Sequence, residues 1–98
     1  MTFPIVWTAP ARAQLAELHE YIAESNASAA GNQVAIIADS TNVLSNFPEI
    51  GRSGRRRGTR ELVVKGTPYI VAYRIRSSTI EILAAIHGAR RWPRSFEM

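Results

Sequence analysis

The side chains able to move protons or hold charge here are two histidines, eight carboxylates, eleven arginines and one lysine, Lys65. His87 draws attention first, because it ends an apolar run with the two-residue period of a strand. That period places it on the face of Glu81, next to Arg74 of the preceding run. Imidazole titrates near neutrality, so His87 can serve as a general base or a phosphate donor, or can bond backbone where the strand ends. Arg60, Arg74 and Arg90 carry the planar fork that suits phosphate and carboxylate. Such a set could hold a phosphodiester while one base takes a hydroxyl proton. The acid is harder to find. Glu81 lies six residues before His87, about 20 Å along an extended chain at ~3.4 Å per residue, too far to share a proton. Arginine stays protonated at neutral pH. Glu61 adjoins Arg60 and therefore points to the opposite face of its strand. His19 sits between Glu17 and Glu20 on a helical stretch, and reads as a solvated side chain.

Binding has better material than catalysis. The first fifty residues hold one base against five acids, for −4, and the rest hold eleven bases against three acids, for +8. An arginine-rich half of this kind favours an acidic or polyanionic partner, or else forms a solubilising face. Arg55, Arg56 and Arg57 stand together in a glycine-rich stretch, either to contact such a partner or as a solvated loop. Arg90, Arg91, Trp92 and Phe96 make a C-terminal arm. Its aromatics, flanked by arginines, are either exposed anchors or fold back over the core. No cysteine is present, which excludes disulfides, thiolate metal sites and a cysteine nucleophile. Two histidines make a poor metal set, so neither metal nor cofactor is expected. No apolar run approaches the ~20 residues of a membrane span. A cytoplasmic protein is expected.

The elements that must position these groups follow from periodicity. Length and a 46% apolar share fit one domain over residues 1–98 with a single core. Residues 3–7 are apolar and β-prone, with Pro4 where an edge strand tolerates it. Thr8 can cap a helix carrying Pro10 in its first turn and Ala11, Leu15, Leu18 and Ile22 as its apolar stripe, running to about Glu24. Ser25, Asn26 and Ser28 offer a new cap, and Ala30, Val34, Ile37, Thr41 and Leu44 form a second stripe that ends at Phe47-Pro48. Residues 51–58 read as loop. Three strands follow, over 60–64, 69–76 and 79–87, joined by turns at 65–68 and at Ser77-Ser78. Tyr69, Val71, Tyr73 and Ile75 share one face, and Ile80, Ile82, Ala84 and Ile86 share one face of the last strand. These should meet the helical hairpin, leaving Arg74, Arg76, Glu81 and His87 together on an uncovered face. The fold class is α+β, in the order β-α-α-β-β-β, an antiparallel sheet with a helical hairpin on one face.

Five stretches of wording stand in this order: Val6-Trp7-Thr8, Phe47-Pro48 with Gly51-Arg52, Arg60-Glu61-Leu62, Tyr69 to Arg74, and Ile86-His87-Gly88-Ala89-Arg90. Together they span nearly the whole chain, and it resembles the RelE/ParE superfamily of type II toxin–antitoxin toxins, the plasmid-stabilisation type. The resemblance implies a toxin that arrests growth, a cognate acidic antitoxin encoded alongside, and a toxin–antitoxin hetero-oligomer.

The superfamily divides by mechanism. RelE-like toxins cut ribosome-bound mRNA with basic residues, an acid–base pair and commonly a C-terminal tyrosine; here His87, Arg90, Arg74 and Arg60 would be the catalytic candidates. This chain has Arg55-Arg56-Arg57 where that branch has a lysine-rich segment, Ile70 where it has arginine, and Trp92 and Phe96 without the tyrosine. ParE-like toxins inhibit DNA gyrase by binding, and the wording from Arg60 to Val64 and from His87 to Arg90 is nearer to theirs. The expectation is therefore gyrase inhibition, with mRNA cleavage as the alternative and a non-toxic nucleic-acid-binding module as a further one. The contact residues expected for target or antitoxin are Arg55, Arg56, Arg57, Arg74, Arg90, Arg91, Trp92 and Phe96.

Overall fold

The computed structural model describes residues 2–96. The chain forms β1 (Ile5–Trp7), α1 (Ala9–Ala23), α2 (Ala27–Ser40), a 3-10 turn (Thr41–Ser45), β2 (Arg52–Ser53), β3 (Arg60–Val63), β4 (Tyr69–Arg76) and β5 (Thr79–His87). The α+β class is the one expected, and the elements follow the expected order with one strand, β2, added. Thr8 caps α1 by accepting from the Ala11 amide at 3.4 Å, and its hydroxyl donates to the Ile82 carbonyl at 2.8 Å. One side chain thereby starts the helix and ties it to the sheet. Asn26 does the first of these jobs for α2, accepting from the Ala29 amide at 3.0 Å. The second stripe continues past α2 because the chain tightens into the 3-10 turn without losing its direction, and Leu44 is fully buried there.

The sheet has five strands in the order β1-β5-β4-β3-β2. The last three strands form the expected antiparallel meander. Two features differ. β1 lies parallel to β5, held by Ile80 N to Pro4 O at 2.8 Å and Thr8 N to Ile82 O at 3.1 Å. Nothing local in either segment sets the direction of a pairing between residues so distant in the chain. The stretch read as loop contains β2, which pairs Arg52 with Glu61 and Ser53 with Arg60. A two-residue strand carries no readable period.

The Ser77-Ser78 turn has both central residues at positive φ, 49° and 58°. This is the primed hairpin turn whose twist matches the strands it joins.

A bulge in β5 changes the assignment of faces. Tyr73 pairs with Ile82 and Ala72 with Ala84, so Leu83 is an extra residue opposite β4. Each inserted residue reverses the alternation beyond it. Ile80 and Ile82 join Ala11, Leu18, Ile37, Leu44, Tyr69, Val71 and Tyr73 in the core under the helices, as expected. Beyond Leu83 the expectation is corrected: Ala84 and Ile86 lie on the other face, and Ala85 and His87 turn to the helix side. His87 therefore does not share a face with Glu81 and Arg74; its ring packs edge-on against Tyr69, with centroids 5.6 Å apart.

The second face is not bare. Ile70, Ala72, Ala84 and Ile86 form a smaller core there, covered by Trp92, which is 8% exposed, with Phe96 packed beside it. The C-terminal arm folds back as a third layer, which decides between the two readings of its aromatics.

Candidate functional site

Glu61 organises the basic half. On β3 it faces the second side of the sheet, opposite Ala72, and is 3% exposed. Its Oε1 accepts from Arg52 Nε at 3.3 Å and Nη2 at 3.1 Å, and its Oε2 accepts from the Arg55 amide at 2.8 Å. Arg55 Nε stands 3.5 Å from Oε2, and the same guanidinium lies 4.0 Å over the Trp92 ring. A carboxylate thus orients a cation, and the cation stacks on the aromatic face. Arg56 completes the clasp by donating to Pro93 O at 2.6 Å and Trp92 O at 3.5 Å. Of the three consecutive arginines, two are therefore fastened to the arm, and Arg57 is exposed to solvent.

Arg60 points the other way, as its adjacency to Glu61 requires. Its Nη1 donates to the carbonyls of Glu49 at 3.1 Å and Gly51 at 2.9 Å. The buried Tyr73 hydroxyl holds the same turn, accepting from Gly51 N at 2.9 Å and donating to Pro48 O at 2.7 Å. Burial pushes the Tyr73 pKa above its ordinary value, against the lowering effects of the Gly51 hydrogen bond and the Arg60 charge. The approach is so close that a Cβ on Gly51 would stand 2.6 Å from the hydroxyl oxygen. The result is a fixed turn presenting Phe47 and Ile50, 61% and 57% exposed. Sequence reasoning placed Tyr73 in the core and did not find this role. The available signal was a tyrosine rather than a phenylalanine at a buried position, since a buried hydroxyl needs partners.

The remaining candidates divide by location. Arg74 is ion-paired with Glu81 across β4 and β5 on the second face. His87 Nδ1 accepts from the Ala89 amide at 3.1 Å, on the helix side. Arg90 and Arg91 are exposed and line a channel of about 1030 Å³ that runs between α1 and the arm along the end of β5. Gln14, Glu17, Leu18 and Tyr21 form the α1 wall of that channel, with Tyr69, Ala85 and His87 behind. The structure thus brings together Glu61, Arg55, Arg56 and Trp92, and separately His87, Arg90 and Arg91. It does not bring His87, Arg74 and Arg60 to one point. Among the described residues no group of three histidines and carboxylates is placed to hold a metal ion, and no helix is long and apolar enough to cross a membrane.

The sequence pattern described as ParE toxin of type II toxin-antitoxin system, parDE, matches residues 5–92. The chain belongs to this ParE toxin family. Among its relatives, the protein Y4kP of Sinorhizobium fredii is 42% identical over 91% of this chain and 92% of its own length. Toxin RelE2 of Caulobacter vibrioides is 31% identical over 88% of this chain and 96% of its own. The ParE fold recurs in a chain of the chromosomal ParDE system from P. aeruginosa, at a TM-score of 0.80 and 22% identity, covering 88% of this chain and 96% of that one. A chain of the toxin–antitoxin complex RelBE2 from Mycobacterium tuberculosis aligns at 0.61 and 24% identity, covering 89% and 99%. This ParE-family chain is therefore a toxin of a type II toxin–antitoxin system, within the RelE/ParE superfamily.

Proposed function

We propose that this ParE-family toxin arrests growth by binding and inhibiting DNA gyrase rather than by cutting mRNA. The observation that carries this reading is the separation of proton-carrying groups by the β5 bulge. Cleavage by a ribose hydroxyl needs a base and an acid converging on one phosphate, an effect worth about 10²- to 10⁴-fold. Here His87 faces the helix side and spends Nδ1 on the Ala89 amide, while Glu81 lies on the opposite face, committed to Arg74. Glu61 is buried beneath Arg52 and Arg55. Inhibition by binding makes no such demand, and Arg57, Arg90 and Arg91 are among the exposed cations such a surface would use.

The same reading supplies an antitoxin. The solved neighbours belong to a ParDE system and a RelBE2 complex, and the +8 of the C-terminal half suits an acidic protein encoded alongside, forming a hetero-oligomer with the toxin in the cytoplasm. Arg57, Arg90 and Arg91 are its expected contacts as well, with Arg55, Arg56, Arg74, Trp92 and Phe96 as the framework that holds them. The test is His87→Gln, which keeps a hydrogen-bonding side chain but cannot titrate. Growth arrest on induction should stay within a few-fold of wild type. A loss of two orders of magnitude, with fold and antitoxin affinity unchanged, would instead make mRNA cleavage the leading mechanism.

A further inference from the structure

We infer that the outer face of α2 and the tip at residues 46–50 form one contact strip, whose occupant is an apolar cleft on gyrase bordered by lysine or arginine side chains. The inference rests on the proposed gyrase target and names the face that meets it. Ile36 and Val43 are 42% and 37% exposed, and Phe47 and Ile50 more so. Val43 stands two turns past Ile36 on the same side of the helix. The Phe47 amide donates to the Val43 carbonyl at 2.9 Å, and the Ile50 amide to the Phe47 carbonyl at 3.2 Å. Each therefore stands one turn beyond the last, and the four make a continuous row. The buried side chains of the same segment, Ala30, Ile37, Thr41 and Leu44, serve the core. Single exposed apolar side chains are ordinary on a folded protein, but a row of four is a patch the fold itself does not use.

The row is held from beneath. Phe3 N donates to Ser45 O at 2.8 Å, and Ser45 Oγ donates to Phe3 O at 2.9 Å. The Tyr73 hydroxyl holds the Pro48 carbonyl, and Arg60 holds those of Glu49 and Gly51. The tip residues also line a recess of about 400 Å³ able to take a partner's side chain. Phe47 and Ile50 are thus placed before any partner arrives, which lowers the ordering cost of docking and suits an aromatic anchor.

The charges select the occupant. Asp39 lies on the same face between Ile36 and Val43, and Glu49 sits in the tip. Both are exposed, and among the described residues neither makes an ion pair. No lysine or arginine occurs from residue 13 to residue 51, and Arg60, which reaches the tip from β3, is bonded to its carbonyls. This face therefore discourages nucleic-acid phosphate and an acidic antitoxin, whose charges suit the arginine-rich half. A second copy fits no better, because a two-fold contact sets Asp39 and Glu49 of one chain against those of the other. A protein cleft with an apolar floor and a cationic rim satisfies both the row and its acids.

The test uses the full chain with gyrase and with the antitoxin encoded beside it. Half-inhibition of supercoiling, antitoxin affinity, self-association and thermal midpoint are measured for F47S/I50S, for the charge reversal D39K/E49K, and for V6S/V63S, which removes two exposed apolar side chains elsewhere. F47S/I50S and D39K/E49K should each raise the toxin concentration for half-inhibition about tenfold or more, the scale for losing central anchors. Thermal midpoint and antitoxin affinity should stay at wild-type values. V6S/V63S should shift half-inhibition by no more than about threefold, as surface changes outside an interface do. D39K/E49K decides the matter should F47S/I50S lose its fold. Wild-type inhibition by both strip variants overturns the strip and leaves the gyrase reading intact. So does a loss confined to antitoxin affinity, or to self-association, which would name that other occupant. Failure of the wild-type toxin to inhibit gyrase overturns both.

Discussion

Tyr73 joins the core to the surface through a single hydroxyl. Its ring is fully buried, and its oxygen both receives the Gly51 amide and donates to the Pro48 carbonyl. Tyr73→Phe keeps the ring and leaves those two backbone groups without their partner. The expected cost is about 1–3 kcal/mol in urea unfolding, the penalty of stranding polar groups out of water. Its pH dependence has a definite sign. The folded pKa is raised by burial, so the unfolded chain ionises first. The contribution is whole below about pH 10, the ordinary tyrosine value, and is lost as pH rises through and above it. The gap between wild type and Y73F should therefore narrow in alkali. An equal gap at pH 8 and pH 11 would contradict this. That Tyr73 is a core residue was legible from its place in the β4 alternation. That its hydroxyl fixes the 47–51 turn was not, because the partners lie more than twenty residues away and no local period connects them.

The C-terminal arm is the element on which the sequence left two readings open. Strand and helix periods report burial only where an element is regular, and residues 88–96 have neither period. Trp92 covers Ile70, Ala72, Ala84 and Ile86, carries Arg55 on its ring and meets Phe96 edge-on with centroids 6.3 Å apart. Trp92→Ala should cost about 3 kcal/mol, the scale for emptying an aromatic core site. It should also release the arm, read as faster proteolysis after Arg90 and Arg91 at unchanged helix content. A variant with wild-type stability but lost toxicity would return Trp92 to the role of surface anchor. The β5 bulge is the other element-scale lesson. The simple alternation holds up to Ile82, and a single extra residue, Leu83, moves His87 across the sheet. Leu83 is as apolar as its neighbours, so nothing in residue type marks the slip. The helix caps Thr8 and Asn26 and the turns at 65–68 and Ser77-Ser78 were legible because capping and turn chemistry act within a few residues.

At the scale of the whole molecule, the chain divides into an acidic helical half and a basic half built of sheet and arm. Much of the basic charge is already spent internally. Arg52 and Arg55 serve Glu61, Arg74 serves Glu81, Arg56 fastens the arm and Arg60 the 47–51 turn. Arg57, Lys65, Arg76, Arg90, Arg91 and Arg94 remain exposed, and of these Arg90 and Arg91 line the channel beside the arm. A surface of this kind recognises its target by charge and shape, and its binding should weaken as salt rises. On the proposed function, toxicity comes from binding gyrase and not from ribonuclease chemistry. The most direct measurement adds the purified toxin, in parallel, to gyrase supercoiling relaxed plasmid and to ribosomes programmed with mRNA. Lost supercoiling with cleaved DNA trapped on the enzyme, relieved by antitoxin, and intact mRNA are the expected results. Full supercoiling together with ribosome-dependent cuts in the mRNA would contradict the proposed function.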